Sequence, residues 1–436
     1  MNSSFMRRRV LLVFVGIVVC QMMALAAAQA EPATITHLFF GSAGKAHEDF
    51  LVKMAAKFEA QYPQYRIELI NGGSGAVYLD RILVASAAGV PYDVIEPTTT
   101  DFSAVARAGL VKDLAPLAAR DGVDWNVFVP YAIAPYKWDD RVLALPTEIS
   151  AVTTISNVDL LGEAGLATPG QLGSAWDWER LLSYGAYLSR KDPDGKPVRW
   201  AYMAGTAMHR VVPMMVHNAG GDIFDKVMHP TKATFTTDPA VEVGLSFYLD
   251  LWTRGYIVTN RNEFANKHTA AISFNEGPWW IGMAETSSAP FEYEVALFPR
   301  GPARQGNEVL ANAYSIHQYS TQLEGAWQWI KFLTLDYDNV VEYMKMSGRP
   351  AAYLPAMPQF ARLFPGHPGS IAVFLEVLQR PDSRIRTVSP VYTDVYNKFN
   401  ADFPGLVLTQ KQPLKTFLEN MQTFTQQKLD EHWAGM

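Results

Sequence analysis

Apolar positions along the chain follow two alternating rhythms. Thr34 to Phe40 is a buried-strand run, and the turn Gly41-Ser42-Ala43-Gly44 follows it. From His47 to Tyr62, Phe50, Leu51, Met54, Ala55 and Phe58 recur at helical spacing. Arg66 to Ile70 alternates as a second strand and ends in the loop Asn71-Gly72-Gly73-Ser74-Gly75. Val77 to Gly89 predicts a helix, and Tyr92 to Glu96 a short third strand. This β-α-β-α-β order predicts a mostly parallel sheet with helices on both faces. Ligands of such sheets bind beyond the carboxyl ends of the strands, so the loops at 41–45, 71–76 and 97–101 are expected to converge.

A second region begins near Leu145. Thr153 to Asn157 predicts a strand and Trp178 to Ser189 a helix, with a surface turn over Lys191-Asp192-Pro193-Asp194-Gly195-Lys196. Asp238 to Arg254 is amphipathic, with Val241, Leu245, Tyr248, Leu249 and Trp252 on one side. Asp238-Pro239 supplies a capping side chain and a first-turn proline. Ala326 to Leu335 and Lys411 to His432 predict two further helices. No internal repeat is present, which excludes a solenoid or propeller.

The N-terminus has a different character. Arg7, Arg8 and Arg9 precede an apolar run from Val10 to about Val19, and Ala28-Gln29-Ala30 has the small-x-small form of a cleavage site. Residues 1–30 are therefore expected to be a signal peptide, removed after Ala30, and the protein to be periplasmic. Cys20 does not mark a lipoprotein, because Val19 stands where a small residue is required. It is also the only cysteine of the 436 residues, so the mature chain has no disulfide scaffold, zinc ribbon or cysteine nucleophile. The net charge is −6, and −9 once the three leader arginines are gone. An acidic chain without blocks of like charge argues against nucleic-acid or anionic-membrane binding. With 49% hydrophobic residues the chain folds, and its length predicts two or three domains.

Catalytic and cofactor motifs are missing. Gly41-Ser42-Ala43-Gly44-Lys45 lacks the glycine spacing and the Ser or Thr of a phosphate loop, and Gly72-Gly73-Ser74-Gly75 is not a nucleophile elbow. His47-Glu48 lacks the second His of a zincin helix, and His209 and His217 are separated by Pro213. Asp192-Pro193-Asp194-Gly195 reads as a β-turn rather than a calcium loop, and Asp139-Asp140 as a solvated turn. No cofactor, metal or catalytic residue is expected. What remains is a supply of aromatic residues beside loops, above all Trp279 and Trp280 after Gly277-Pro278. Two adjacent side chains do not face the same way, so one indole is available to line a cavity. A pyranose face is a patch of C–H groups suited to such a ring, and its hydroxyl rim suits Asp, Glu, Asn and Arg.

A series of short motifs runs in order along the chain. Phe58-Glu59-Ala60-Gln61-Tyr62-Pro63, Tyr92-Asp93-Val94-Ile95 and Ala108-Gly109-Leu110-Val111-Lys112-Asp113-Leu114 come first. Leu145-Pro146, Asn157-Val158-Asp159-Leu160-Leu161 and Trp176-Asp177-Trp178-Glu179-Arg180-Leu181 follow. Phe274-Asn275-Glu276-Gly277-Pro278-Trp279 and Ala326-Trp327-Gln328-Trp329-Ile330-Lys331-Phe332-Leu333 complete the order. In this order the motifs resemble the family 1 extracellular (periplasmic) solute-binding proteins of ABC sugar importers. The resemblance implies an α/β, two-lobed periplasmic-binding-protein fold, each lobe a mostly parallel sheet flanked by helices. It implies three interlobe crossings, expected near 148–152, 308–313 and 336–345. Lobe one is then 31–149 plus 311–338, and lobe two 150–310 plus 339–436.

The same resemblance implies a carbohydrate ligand in the interlobe cleft, ABC permease subunits as partners, and a monomer. The implied ligand contacts are Ser42 and Lys45 from the first loop and Tyr78 from the second. Thr98, Thr100 and Asp101 come from the third, and Glu148 or Ser150 follows Leu145-Pro146. Met208, His209, Arg210 and the stacking Trp279 lie across the cleft, with Tyr314, Arg349, and Tyr392 or Tyr396 further on. Phe39-Phe40 and Thr154-Ile155-Ser156 depart from the family pattern and argue against specificity for long maltodextrins. A glycerol phosphate or polyol ligand, and in a different class an exported glycoside hydrolase or a module presenting ligand to a receptor, stay open as alternatives.

Overall fold

The computed structural model describes residues 31–41, 44–73, 76–204, 210–276, 291–364, 368–405, 409 and 411–434. Among them the strands are, in chain order, β1 (Ala33–Phe39), β2 (Tyr65–Asn71), β3 (Val94–Ile95), β4 (Lys137–Trp138), β5 (Arg141–Val142) and β6 (Leu145–Asn157). Then come β7 (Arg190–Lys191), β8 (Pro197–Met203), β9 (Ile257–Val258), β10 (Ala270–Glu276), β11 (Tyr293–Ala296), β12 (Glu308–Ile316) and β13 (Arg384–Ile385). The main sheet runs β2-β1-β3-β12-β6-β10-β8-β7, with β11 also on β6, β13 on β12 and β9 on β8.

Parallel pairing, as βαβ connections require, flanks the middle of the sheet: β1 pairs with β2 and β3, and β8 with β9 and β10, while the edge strand β7 adds to β8 antiparallel. β6 and β12 join them antiparallel. The first half of β6 pairs with β12, from Leu145↔Tyr314 to Ala151↔Val309. Its second half lies between β10 and β11, with Thr154 opposite both Phe274 and Ala296. One strand therefore serves two lobes, and each of its thirteen residues is buried.

The buried apolar residues form two clusters, the first running from β1 across β6 to Ala270 and Val295. Around β1 the helix Lys45–Gln61 buries Phe50, Leu51, Met54, Ala55 and Phe58, the residues the periodicity places on one face. Helices Leu323–Thr334 and Tyr337–Ser347 pack on the same side. The second core gathers Trp176, Tyr202, Phe274 and Tyr248 with Phe399, Phe417 and Leu429 from the last two helices. Here Pro239–Thr253 begins on Asp238, whose side chain accepts from Ala240 N at 2.9 Å. The Asp192–Lys196 turn is closed by Asp192 N to Lys196 O and Gly195 N to Asp192 O, both 2.9 Å.

Candidate ligand-binding site

The carboxyl ends of β1 and β3 meet at Glu96, the residue after β3. Its carboxylate accepts from Phe40 N at 2.8 Å, and its own amide donates to the Tyr78 hydroxyl at 2.6 Å. Tyr78 in turn donates to Leu38 O at 2.9 Å, which spends its hydroxyl inside the lobe. His47, near the start of Lys45–Gln61, places Nε2 at 3.0 and 3.2 Å from the two Glu96 oxygens. His37 Nδ1 accepts from Trp329 Nε1 at 3.1 Å, so its proton sits on Nε2, 3.3 Å from Glu96 Oε1. Burial pushes the Glu96 pKa up, but the His47 charge and the two imidazole hydrogen bonds outweigh it and hold the group far below the usual carboxylate range. Burial alone lowers the His47 pKa, and the Glu96 charge and hydrogen bond reverse the sign and raise it. A metal would have to displace the His37 Nε2 proton, and among the described residues no three acid, His or Cys side chains form a metal-binding group.

A second carboxylate, Glu148, lies on β6 and is 1% exposed. Thr147 Oγ1 and Tyr343 OH each donate to Oε2 at 2.5 Å. Asn312 Nδ2 and Arg349 Nη1 donate to Oε1 at 2.6 and 3.3 Å. The network continues through Asn312, whose backbone bridges Thr98. Thr98 caps the helix Thr99–Arg107 and donates to Asp101 Oδ2 at 2.8 Å. Asp101 also takes a hydrogen bond from Thr393, in the helix Tyr392–Phe403. Burial raises the Asp101 pKa against these two hydroxyls.

The structure thus brings Tyr78, Thr98, Asp101, Glu148, Tyr314 and Arg349 into one connected region. Tyr314 stacks edge-on to His37 at 5.4 Å, and its buried hydroxyl has no hydrogen-bond partner among the described residues. Ser150 sits two residues beyond Glu148 on β6, opposite Leu310. Tyr392 is enclosed near Arg386, Glu308 and Arg384, and Tyr396 lies one turn further along its helix. Lys45 stands apart: its ammonium points to solvent and pairs with Asp49 and Glu48 of its own helix. Arg210 precedes the helix Val211–Ala219. Ser42, Met208, His209, Trp279 and the Thr100 side chain lie outside the described residues.

Glu96, His47, Asn312, Tyr343 and Thr393 are the members that sequence reasoning missed. Glu96 carried a usable signal, a carboxylate at the carboxyl end of a predicted parallel strand. The others have none, because each meets its partner across more than 45 positions of chain.

The model of the bacterial extracellular solute-binding protein family matches residues 44–336, well over half of the chain. Among solved structures, the ABC substrate-binding protein Lmo0181 from Listeria monocytogenes, in complex with cycloalternan, superposes with a TM-score of 0.76 at 19% identity, over 93% of this chain and 100% of that one. UgpB from Mycobacterium tuberculosis, in complex with glycerophosphocholine, gives a TM-score of 0.76 at 18% identity, covering 92% and 99%. Maltose-bound T. maritima MalE3 gives 0.72 at 21% identity, covering 91% and 99%. With two α/β lobes sharing β6 and a family match over most of its length, the chain belongs to the bacterial extracellular solute-binding proteins.

Proposed function

We propose that the protein captures a small neutral carbohydrate between its lobes and delivers it, without chemistry, to the permease subunits of an ABC importer. The observation that carries this reading is the run of polar contacts along the seam: Glu148 to Asn312, Asn312 to Thr98, Thr98 to Asp101, and Asp101 to Thr393. Hydroxyl, amide, carboxylate and guanidinium groups lie there beside the buried rings of Tyr314 and Tyr343, the mixture that a sugar's rim and face require. A phosphorylated solute would draw on Arg210, Lys45 and Arg349; of these, Lys45 is held by Asp49 and Glu48, and Arg349 by Glu148. This favours an uncharged solute over a phosphorylated one. Glu96, Glu148 and Asp101 are each engaged by protein donors, which supports binding rather than hydrolysis.

The seam also supports a division into lobes. β6 and β12 carry the chain across near 148–152 and 308–313. Helix Tyr337–Ser347 packs on Lys45–Gln61, and Ala352 O accepts from Val129 N at 2.9 Å. This favours lobe one over 31–149 plus a stretch from 311 that reaches past 352, with the third passage later than 336–345. Export through residues 1–30, with cleavage after Ala30, belongs to the same reading. Among the described residues, no helix is long and apolar enough to cross a membrane.

The test is a thermal-shift and calorimetric panel of maltose, mannobiose, tagatose and glycerol 3-phosphate on the protein lacking residues 1–30. A ligand at 100 times its Kd adds about 2.7 kcal/mol of stability. One sugar is expected to bind at 1:1 stoichiometry and be recovered intact. A response to glycerol 3-phosphate alone, or consumption of the sugar, rejects the reading.

A further inference from the structure

An ionised carboxylate offers about four acceptor positions, and at Glu148 four protein donors fill them. Thr147 and Tyr343 occupy Oε2, Asn312 and Arg349 occupy Oε1, and the residue as a whole is 1% exposed. A solute hydroxyl could reach it only by displacing one of these donors. We propose that Glu148 is a positioning residue, and that with Tyr343 and Asn312 it fixes the guanidinium of Arg349, which meets the solute. The assignment rests on the carbohydrate-binding reading above and gives Glu148 a role other than the expected ligand contact.

The backbone around Arg349 is consistent with that role. Helix Tyr337–Ser347 stops at Gly348, whose φ of 66° is the left-handed conformation that glycine adopts without strain. The chain then lies along β6. Ile149 N donates to Pro350 O at 2.9 Å and Ala352 N to Thr147 O at 3.1 Å, with Glu148 bridged to Ala351 between them. The chain just past Arg349 is thereby held from β6, and the Arg349 head group is held from the same strand by Glu148. The Arg349 side chain is 20% exposed against 2% for Glu148, so the cation is the member of the pair nearer the solvent side.

Tyr343 is fixed independently. Its ring stands edge-on to Phe50 at 5.3 Å and to His47 at 6.3 Å. Asn312 comes from β12, so Glu148 ties both joining strands to the segment that carries Arg349.

A double-mutant cycle on solute affinity tests the assignment. The probe is whichever of maltose, mannobiose and tagatose binds the wild type. Glu148→Gln is expected to weaken binding at least tenfold, because an amide brings a donor where Tyr343 or Arg349 also donates. Tyr343→Phe is expected to weaken it three- to tenfold. In an Arg349→Met background, both are expected to lose their effect on affinity, within twofold. A direct contact from Glu148 to the sugar predicts losses that multiply, and that result overturns the proposal. So does unchanged affinity in Glu148→Gln. Ligand-free melting curves identify any variant that does not fold, and Tyr343→Phe with Asn312→Ser then completes the cycle. Binding by the wild type with multiplying losses rejects this assignment alone, whereas a wild type that binds none of the three sugars rejects the carbohydrate reading and this proposal with it.

Discussion

Arg386 Nε donates to Glu308 Oε1 at 2.8 Å, and both residues are enclosed where β12 meets β13. Arg384 adds a second cation 3.6 Å from the other Glu308 oxygen and pairs with Asp222. Removing one partner of a buried ion pair strands the other, at a cost of about 3–5 kcal/mol. Glu308→Leu is therefore expected to lower stability by that amount in denaturant melts. Glu308→Leu combined with Arg386→Met is expected to recover part of the loss, because only Arg384 is left without this carboxylate. Equal stability of the single and double variants contradicts the account.

Helices Val211–Ala219 and Pro239–Thr253 approach closely at Gly244. A Cβ there would lie 2.8 Å from Val216 N and Cα and 2.9 Å from Met215 C, all backbone atoms with no rotamer to yield. Gly244→Ala forces the helices apart and is expected to destabilise by about 1–3 kcal/mol, despite alanine's better helix propensity. A rise in Tm would show that the contact is looser than described.

His217 is buried on the first of these helices, with Nε2 2.7 Å from Asp382 O. Burial and then the charges of Arg384 and Arg304 depress its pKa from 6.5 to about 4. The folded state therefore resists the proton that the unfolded state accepts. Its stabilising contribution is full above pH 6.5 and is lost as pH falls toward 4, about 3 kcal/mol in all. His47 acts with the opposite sign: its raised pKa contributes stability below 6.5 that fades as pH rises through the folded value. His217→Gln is expected to flatten the acid limb of a stability-against-pH curve between 6.5 and 4 relative to the wild type. Parallel curves would remove His217 as the cause.

Trp279 lies outside the described residues, and its stacking role stays an expectation from the sequence. Trp279→Ala is expected to weaken sugar binding at least tenfold while leaving the ligand-free Tm unchanged. Titration calorimetry showing wild-type affinity would remove it from the site.

Local rules located six of the helices and four of the strands, and left helices such as Thr99–Arg107, Val211–Ala219, Tyr337–Ser347 and Tyr392–Phe403 unread. Helix Lys45–Gln61 follows from the spacing of Phe50, Leu51, Met54 and Phe58, and Pro239–Thr253 from Asp238 and its proline. The strand read as Thr153–Asn157 is in fact Leu145–Asn157. Its first half, Leu145-Pro146-Thr147-Glu148, lacks both alternation and an apolar run, because β12, not the local sequence, makes it a strand. β8, β10 and β12 were not read at all. The expectation of mostly parallel lobes describes β1 to β3 and β8 to β10, and the antiparallel β6, β11 and β12 modify it.

The candidate site divides the same way. Thr98 and Asp101, three residues apart at a helix start, are visible as a capping pair. Arg349 was legible only through family resemblance, and its bond to Glu148 spans 201 positions. By itself, the amino-acid order determined six helical segments, the apolar faces of Lys45–Gln61 and Pro239–Thr253, and that cysteine chemistry is absent from the chain beyond Cys20. Only the tertiary structure decided that one strand serves two lobes, and that Glu96 faces two imidazoles while Glu148 faces four donors. Periodicity and capping act within a few residues, whereas hydrogen bonds between strands and buried charges are selected by long-range packing that leaves no local trace.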